Sequence, residues 1–254
     1  YTFVYTMANC LRAAARHKVP VIVCDRPNPI GGAAVEGPML EPGYESFVGL
    51  FPIPMRHGMT IGELAALFNT HFGIGADLHV VPMEGWSRGM YFDETGLPWV
   101  MPSPNMPTLD TAIVYPGAVL FEGTQLSEGR GTTRPFELLG APWIDAERFC
   151  SALNALELAG AHFRPVMFEP TFHKHAREAC GGCQVHVTDR EAFRPVLAAV
   201  AAMAEFRRAA PGRFAWRQPP YEYEHDKMPI DILAGSPALR EQIEGGAGAI
   251  EIAA

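Results

Sequence analysis

The 254 residues carry 20 Lys and Arg against 28 Asp and Glu, a formal net charge of −8, and 48% of them are hydrophobic. That length suggests one large domain or two modest ones with a substantial core. The acidity argues against a nucleic-acid backbone as partner, and no apolar run approaches the roughly 20 residues of a membrane helix. The five cysteines lack the spacing of a disulfide framework and read mainly as small core residues.

Tyr5–His17 has helical periodicity, with Met7, Leu11, Ala14 and Ala15 on one side. Val19–Cys24 is a continuous β-branched run, expected to be a strand buried on both faces. It ends at Asp25-Arg26-Pro27-Asn28-Pro29-Ile30-Gly31-Gly32, where prolines fix the backbone and glycines release it. Asp25 and Arg26 therefore stand at a strand's carboxyl end, serving either a ligand or a self-contained loop network. Glu36–Phe51 reads as loop. Arg56-His57-Gly58 precedes Thr60-Ile61-Gly62-Glu63, a capping box opening a helix to about Phe72. That N-terminus is a natural anion site, and His57 there either braces the loop or does chemistry.

Leu78–Pro82 reads as the next strand. Glu84–Pro107 is long and irregular, the profile of a lid or binding loop. Its Trp86 and Trp99 either stack on sugar rings or plug the loop onto the core. Thr108 caps a short helix to Tyr115. The apolar run Ala118–Phe121 is expected to be a buried strand. It leads into Phe121–Phe136, FEGTQLSEGRGTTRPF, which holds Glu122, Glu128, Arg130, Arg134 and three glycines. So much ionisable chemistry exceeds what a mere turn needs.

Beyond Gly140 the polar loop motifs thin out, so a domain boundary is expected there, giving 1–140 and 141–254. Asp145–Ala159 and Arg190–Arg208 read as helices, Phe163–Phe168 and Gln184–Val187 as strands. The segments 230–236 and 239–243 read as two short helices. The expected fold is α/β: a partial Rossmann-like, mostly parallel sheet followed by a smaller α/β domain.

His173, His175, Cys180, Cys183 and His186 could in principle ligate zinc. With no second Cys-x-x-Cys, the expectation is no metal, and the Cys pair is expected to form a tight turn before a strand. No Gly-x-Ser-x-Gly elbow, phosphate loop or Gly-x-Gly-x-x-Gly fingerprint is present, so no cofactor is expected. Paired carboxylates lead instead. Glycoside hydrolysis needs an acid to protonate the leaving oxygen and a second group as nucleophile or base. Glu36, Glu122 and Glu128 are the available loop glutamates.

Several motifs occur here in one family's order: Asp25-Arg26-Pro27-Asn28-Pro29, Val35-Glu36-Gly37-Pro38, Pro54-Met55-Arg56-His57-Gly58-Met59-Thr60, Pro102-Ser103-Pro104-Asn105-Met106-Pro107, Glu122-Gly123-Thr124 and Ser127-Glu128-Gly129-Arg130-Gly131-Thr132. The chain resembles the DUF1343 proteins, NamZ-type exo-β-N-acetylmuramidases, from Tyr1 to near its C-terminus. The resemblance implies a bacterial glycosidase that removes terminal N-acetylmuramic acid from the non-reducing ends of peptidoglycan fragments. It also implies a periplasmic or secreted full-length protein. Members begin upstream, with further strands and a Pro-Glu-His-Gly motif, so this chain is expected to be N-terminally incomplete.

Glu122, Glu128 and His57 are the catalytic candidates. Asp25, Arg26, Asn28, Glu36, Arg56, Asn105, Arg130 and Thr132 are the substrate-binding candidates. Arg130, Arg26 and Arg56 are nominated for the lactyl carboxylate of muramic acid, because a guanidinium offers it two parallel donors. The expected partner is an oligosaccharide, not nucleic acid. The rival readings are a non-catalytic muropeptide-binding module and, last, a nucleotide-binding oxidoreductase.

Overall fold

The computed structural model describes residues 2–248. The chain divides into two compact units, Tyr1–Trp99 and Val100–Ala254.

In the first unit, α1 (Phe3–His17) precedes β1 (Val21–Cys24), and α2 (Ile61–Ala66) precedes β4 (Leu78–Val81). β1 and β4 pair in parallel, from Val21 opposite Leu78 to Cys24 opposite Val81. Leu11 of α1 and Ala65 of α2 pack with Val21, Val23 and Leu78 in one cluster. Phe68 and Leu64 join Ala8 and Phe51 in another. Thr60 forms the full capping box with Glu63, as expected. The helix then passes into a π turn over Leu67–His71. A short antiparallel pair, β2 (Glu36–Met39) and β3 (Pro54–Arg56), completes the regular strands of this unit. The expectation that β1 is buried on both faces fails. Val21 and Val23 are half-buried, but Ile22 and Cys24 are exposed, because α1 and α2 cover one face only.

In the second unit, α3 (Leu109–Ala118) starts at the Thr108 cap and runs directly into a 3-10 turn over Val119–Gly123. This corrects the strand expected at Ala118–Phe121. A short apolar run bounded by polar residues fits a buried helix as well as a buried strand, and Leu120 and Phe121 are both fully buried. The sheet is antiparallel, in the order β5 (Leu138–Ala141), β7 (Cys180–Val187), β6 (Ala161–Phe168). Gly140 thus lies inside β5, and the change of sequence character there marks a strand; the units divide at Trp99 and Val100 instead. Cys180 and Cys183 lie within β7, which corrects the expected turn. Two glycines between them let β5 approach: a Cβ at Gly182 would lie 1.9 Å from the Leu139 carbonyl oxygen.

α4 (Ala146–Asn154) packs on this sheet, and the Asn154 amide exchanges two 2.9 Å hydrogen bonds with the Phe163 backbone. Phe149 of α4 stacks on Phe206 of α5 (Pro195–Ala209) with centroids 3.9 Å apart. Phe121 meets Phe206 edge-on. α6 (Pro229–Ala234) and α7 (Ala238–Glu244) are the two short helices expected near the C-terminus. A parallel β1–β4 pair with antiparallel sheets and flanking helices makes the fold α/β.

Candidate functional site

In the second unit, the 3-10 turn brings Glu122 to the surface of the core, and the glycine-rich loop after it brings Glu128 and Arg130 back beside it. Ser127 and Gly140 exchange backbone hydrogen bonds of 2.8 and 3.0 Å, tying this loop to β5. The Gly131 carbonyl accepts from both the Thr171 N–H and the Thr171 hydroxyl. Gly131 has φ +83° and a Cβ there would lie 2.6 Å from the Phe172 carbonyl oxygen, so only glycine lets the two segments touch. That zipper sets His173 and Lys174 against the glutamates.

Glu128 is wholly buried. Its Oε2 accepts from Lys174 Nζ at 2.8 Å, and its Oε1 lies 3.2 Å from His173 Nδ1 and 3.3 Å from Arg130 Nε. Burial works to raise the Glu128 carboxyl, but His173 and Lys174 outweigh it and hold it at about 2. Lys174 Nζ donates also to the carbonyls of Phe121 and Leu126, at 2.8 and 3.0 Å, so all three of its protons are placed. Burial pulls the Lys174 ammonium downward, and Glu128 opposes that pull.

Glu122 has a different setting. It is 8% exposed and accepts from Arg130 Nη2 at 2.5 Å and from the Tyr221 hydroxyl at 2.7 Å. Burial, then the Glu122 charge, drives the Tyr221 phenol far above its ordinary range, so it stays a donor. Arg130 also lies over the Phe136 ring. Burial lowers the Arg130 guanidinium, but Glu122 and Glu128 more than reverse this. Glu122, Arg130 and His173 line a cavity of about 470 Å³, together with Arg217, Tyr221, Tyr223, Glu222 and His225. Glu128 is not among its lining residues.

Of the remaining candidates in this unit, Thr132 donates to the Gly129 carbonyl at 2.6 Å and so braces the glycine loop. The Asn105 N–H donates to the Ser103 hydroxyl.

In the first unit, the expected residues form a network of their own. Asp25 accepts from the Thr60 hydroxyl at 3.0 Å and the Gly62 N–H at 2.7 Å, at the N-terminus of α2. Asn28 donates to the Met59 carbonyl. His57 Nδ1 accepts from the Met59 N–H at 3.0 Å, and burial holds the imidazole down at about 4. Arg56 is buried, donates to the Ile30 carbonyl, and lies opposite Glu36 in the β2–β3 ladder. Arg26 is exposed and donates to the Asp25 carbonyl. Asp25 and Arg26 also line a cavity of about 510 Å³ at the carboxyl ends of β1 and β4, with Trp86 in its wall.

The sequence alone did not nominate Arg217, Tyr221 or Lys174. Lys174 lies between His173 and His175, two of the residues read as possible zinc ligands, and was not itself singled out. The signal for the other two, an Arg and a Tyr flanking Pro219-Pro220, becomes informative only once that segment is seen beside Glu122.

The NamZ family divides into two parts that both match: "Exo-beta-N-acetylmuramidase NamZ, N-terminal" over residues 1–110 and "Exo-beta-N-acetylmuramidase NamZ, C-terminal" over residues 113–254. The peptidoglycan beta-N-acetylmuramidase NamZ of Bacillus subtilis is 50% identical over 246 residues, which cover 97% of this chain and 58% of that protein. Two crystal structures of DUF1343 family proteins from Bacteroides fragilis are similar. One has a TM-score of 0.87 at 34% identity, covering 96% of this chain and 64% of that one. The other has a TM-score of 0.74 at 26% identity, covering 100% and 66%. The chain thus spans less than two thirds of the length of each of these relatives. With both family parts matched along its length, this chain belongs to the exo-β-N-acetylmuramidase NamZ family.

Proposed function

We propose that the protein hydrolyses peptidoglycan fragments, releasing terminal N-acetylmuramic acid from their non-reducing ends. The observation that carries this reading is the cavity of the second unit, where the buried carboxylate Glu122 stands among Arg130, Arg217 and His173, with the exposed Glu222 also in the lining. A carboxylate beside cations suits both a glycosidic centre and an acidic sugar. The 50% identity to a protein named as a peptidoglycan muramidase supports the same substrate class.

The two glutamates take different parts. Glu128 is buried, ionised and outside the cavity lining, which makes it a poor proton donor. We assign it to hold Arg130, His173 and Lys174 in place. Glu122 lines the cavity and accepts hydrogen bonds from the Arg130 guanidinium and the Tyr221 hydroxyl. That suits a base, or a charge that stabilises the oxocarbenium-like transition state, better than the acid that protonates the leaving oxygen.

The test is release of N-acetylmuramic acid from a chromogenic β-muramide. Glu122→Gln keeps the shape and an acceptor oxygen, and should slow turnover about a hundredfold or more. Turnover by Glu122→Gln at the unaltered rate would remove Glu122 from the chemistry. A protein that liberates no muramic acid would sink the reading.

A further inference from the structure

Arg130 is the arginine that motif position nominates for the lactyl carboxylate, yet its guanidinium is already engaged. One terminal nitrogen bonds Glu122 at 2.5 Å, and Nε lies 3.3 Å from Glu128. Glu122 and Glu128 both lie against Arg130, so a third carboxylate arriving at that guanidinium would meet two like charges.

Arg217 is placed otherwise. Its backbone N–H donates to the Gly123 carbonyl at 2.9 Å, next to Glu122. Its neighbours are pinned as well: the Gln125 N–H donates to the Ala215 carbonyl, and Trp216 Nε1 donates to Glu244 at 2.8 Å. The guanidinium lies over the Tyr221 ring, 5.3 Å from its centroid, and Tyr221 is itself fixed by its bond to Glu122. Among the described residues, the Arg217 side chain has neither an ion pair nor a hydrogen bond, and it lines the cavity. Glu222, the other carboxylate of the lining, is exposed at the rim. Stacking orders the guanidinium before a ligand arrives and leaves its donor edge open.

Building on the muramidase reading, we infer that Arg217, not Arg130, is the specificity residue that grips the carboxylate of the lactyl ether. Arg130 is a positioning residue that orients Glu122. A planar carboxylate meeting the Arg217 fork would gain two charge-assisted hydrogen bonds in a half-buried place.

N-acetylmuramic acid and N-acetylglucosamine differ by that ether alone, so calorimetric titration of the protein with each sugar isolates the contact. Arg217→Met keeps an apolar side chain that can lie against Tyr221, and should lose about tenfold to a hundredfold in affinity for the muramic sugar. Its affinity for the glucosamine should be unchanged. Arg217→Lys, which restores a point charge without the fork, should recover part of the loss. Equal losses for both sugars would overturn the assignment. So would selectivity that survives in Arg217→Met and Arg217→Lys but vanishes in Arg130→Met. Unaltered protein that binds the two sugars alike would instead count against the muramic-acid reading itself, whatever Arg217 does.

Discussion

Glu128 illustrates how a single buried group can matter without touching substrate. Its carboxyl, ordinarily near 4.5, is held at about 2 because His173 and Lys174 outweigh the cost of burial. A depressed carboxyl adds stability above its unfolded pKa, and that stability is lost as pH falls through the folded value. The contribution, at most roughly 3 kcal/mol and partly offset by the burial of Lys174, should therefore vanish between about pH 4.5 and pH 2. Urea unfolding across that window should show Glu128→Gln with a flatter pH dependence than the unaltered protein. Parallel curves would mean that His173 and Lys174 do not hold the carboxylate. His57 follows the same sign rule. Burial holds it at about 4, so it is neutral at neutral pH, where its Nδ1 can accept from Met59. That geometry favours the brace among the two roles its position allowed.

At the scale of elements, the second unit depends on how closely α3 and α5 cross. A Cβ on Gly117 of α3 would fall 1.9 Å from the Pro195 carbonyl oxygen and 2.8 Å from the Ala199 Cβ. Both obstacles are backbone or a short side chain, so neither can swing aside. Gly117→Ala should cost about 1–3 kcal/mol or more, read as a lower urea midpoint. An unchanged midpoint would mean that the helices do not meet there. The same helix shows why local pattern misled. Thr108 announced its start, but nothing in Ala118–Phe121 distinguishes a strand from the end of a helix. The outcome turned on which neighbours bury Leu120 and Phe121, and those include Phe206, distant in sequence. In contrast, the Thr60 box was legible because all its partners lie within four residues.

For the molecule as a whole, the two units are joined through irregular chain in which Leu97, Val100 and Met101 are exposed. Exposed, irregular backbone is where proteases cut first. Brief chymotrypsin treatment should therefore cleave first after Trp99, since Pro98 and Pro102 block cleavage after Leu97 and Met101, giving two fragments resolvable by mass spectrometry. Early cuts inside α3 or α5 would contradict that division into units.

The sequence by itself determined the α/β class, the helix caps, the family and the loop that carries Glu122, Glu128 and Arg130. These rest on spacing and on short-range hydrogen bonds, which neighbouring residues contain in full. Only the tertiary structure decided which side chains are spent and which are open. Arg130 and Arg217 are chemically identical, yet one is held by two carboxylates and the other lies on a tyrosine ring. Charge pairing between residues far apart in the chain has no imprint on local pattern, so the difference emerges only when the chain segments around residues 122, 130, 174 and 217 are folded side by side.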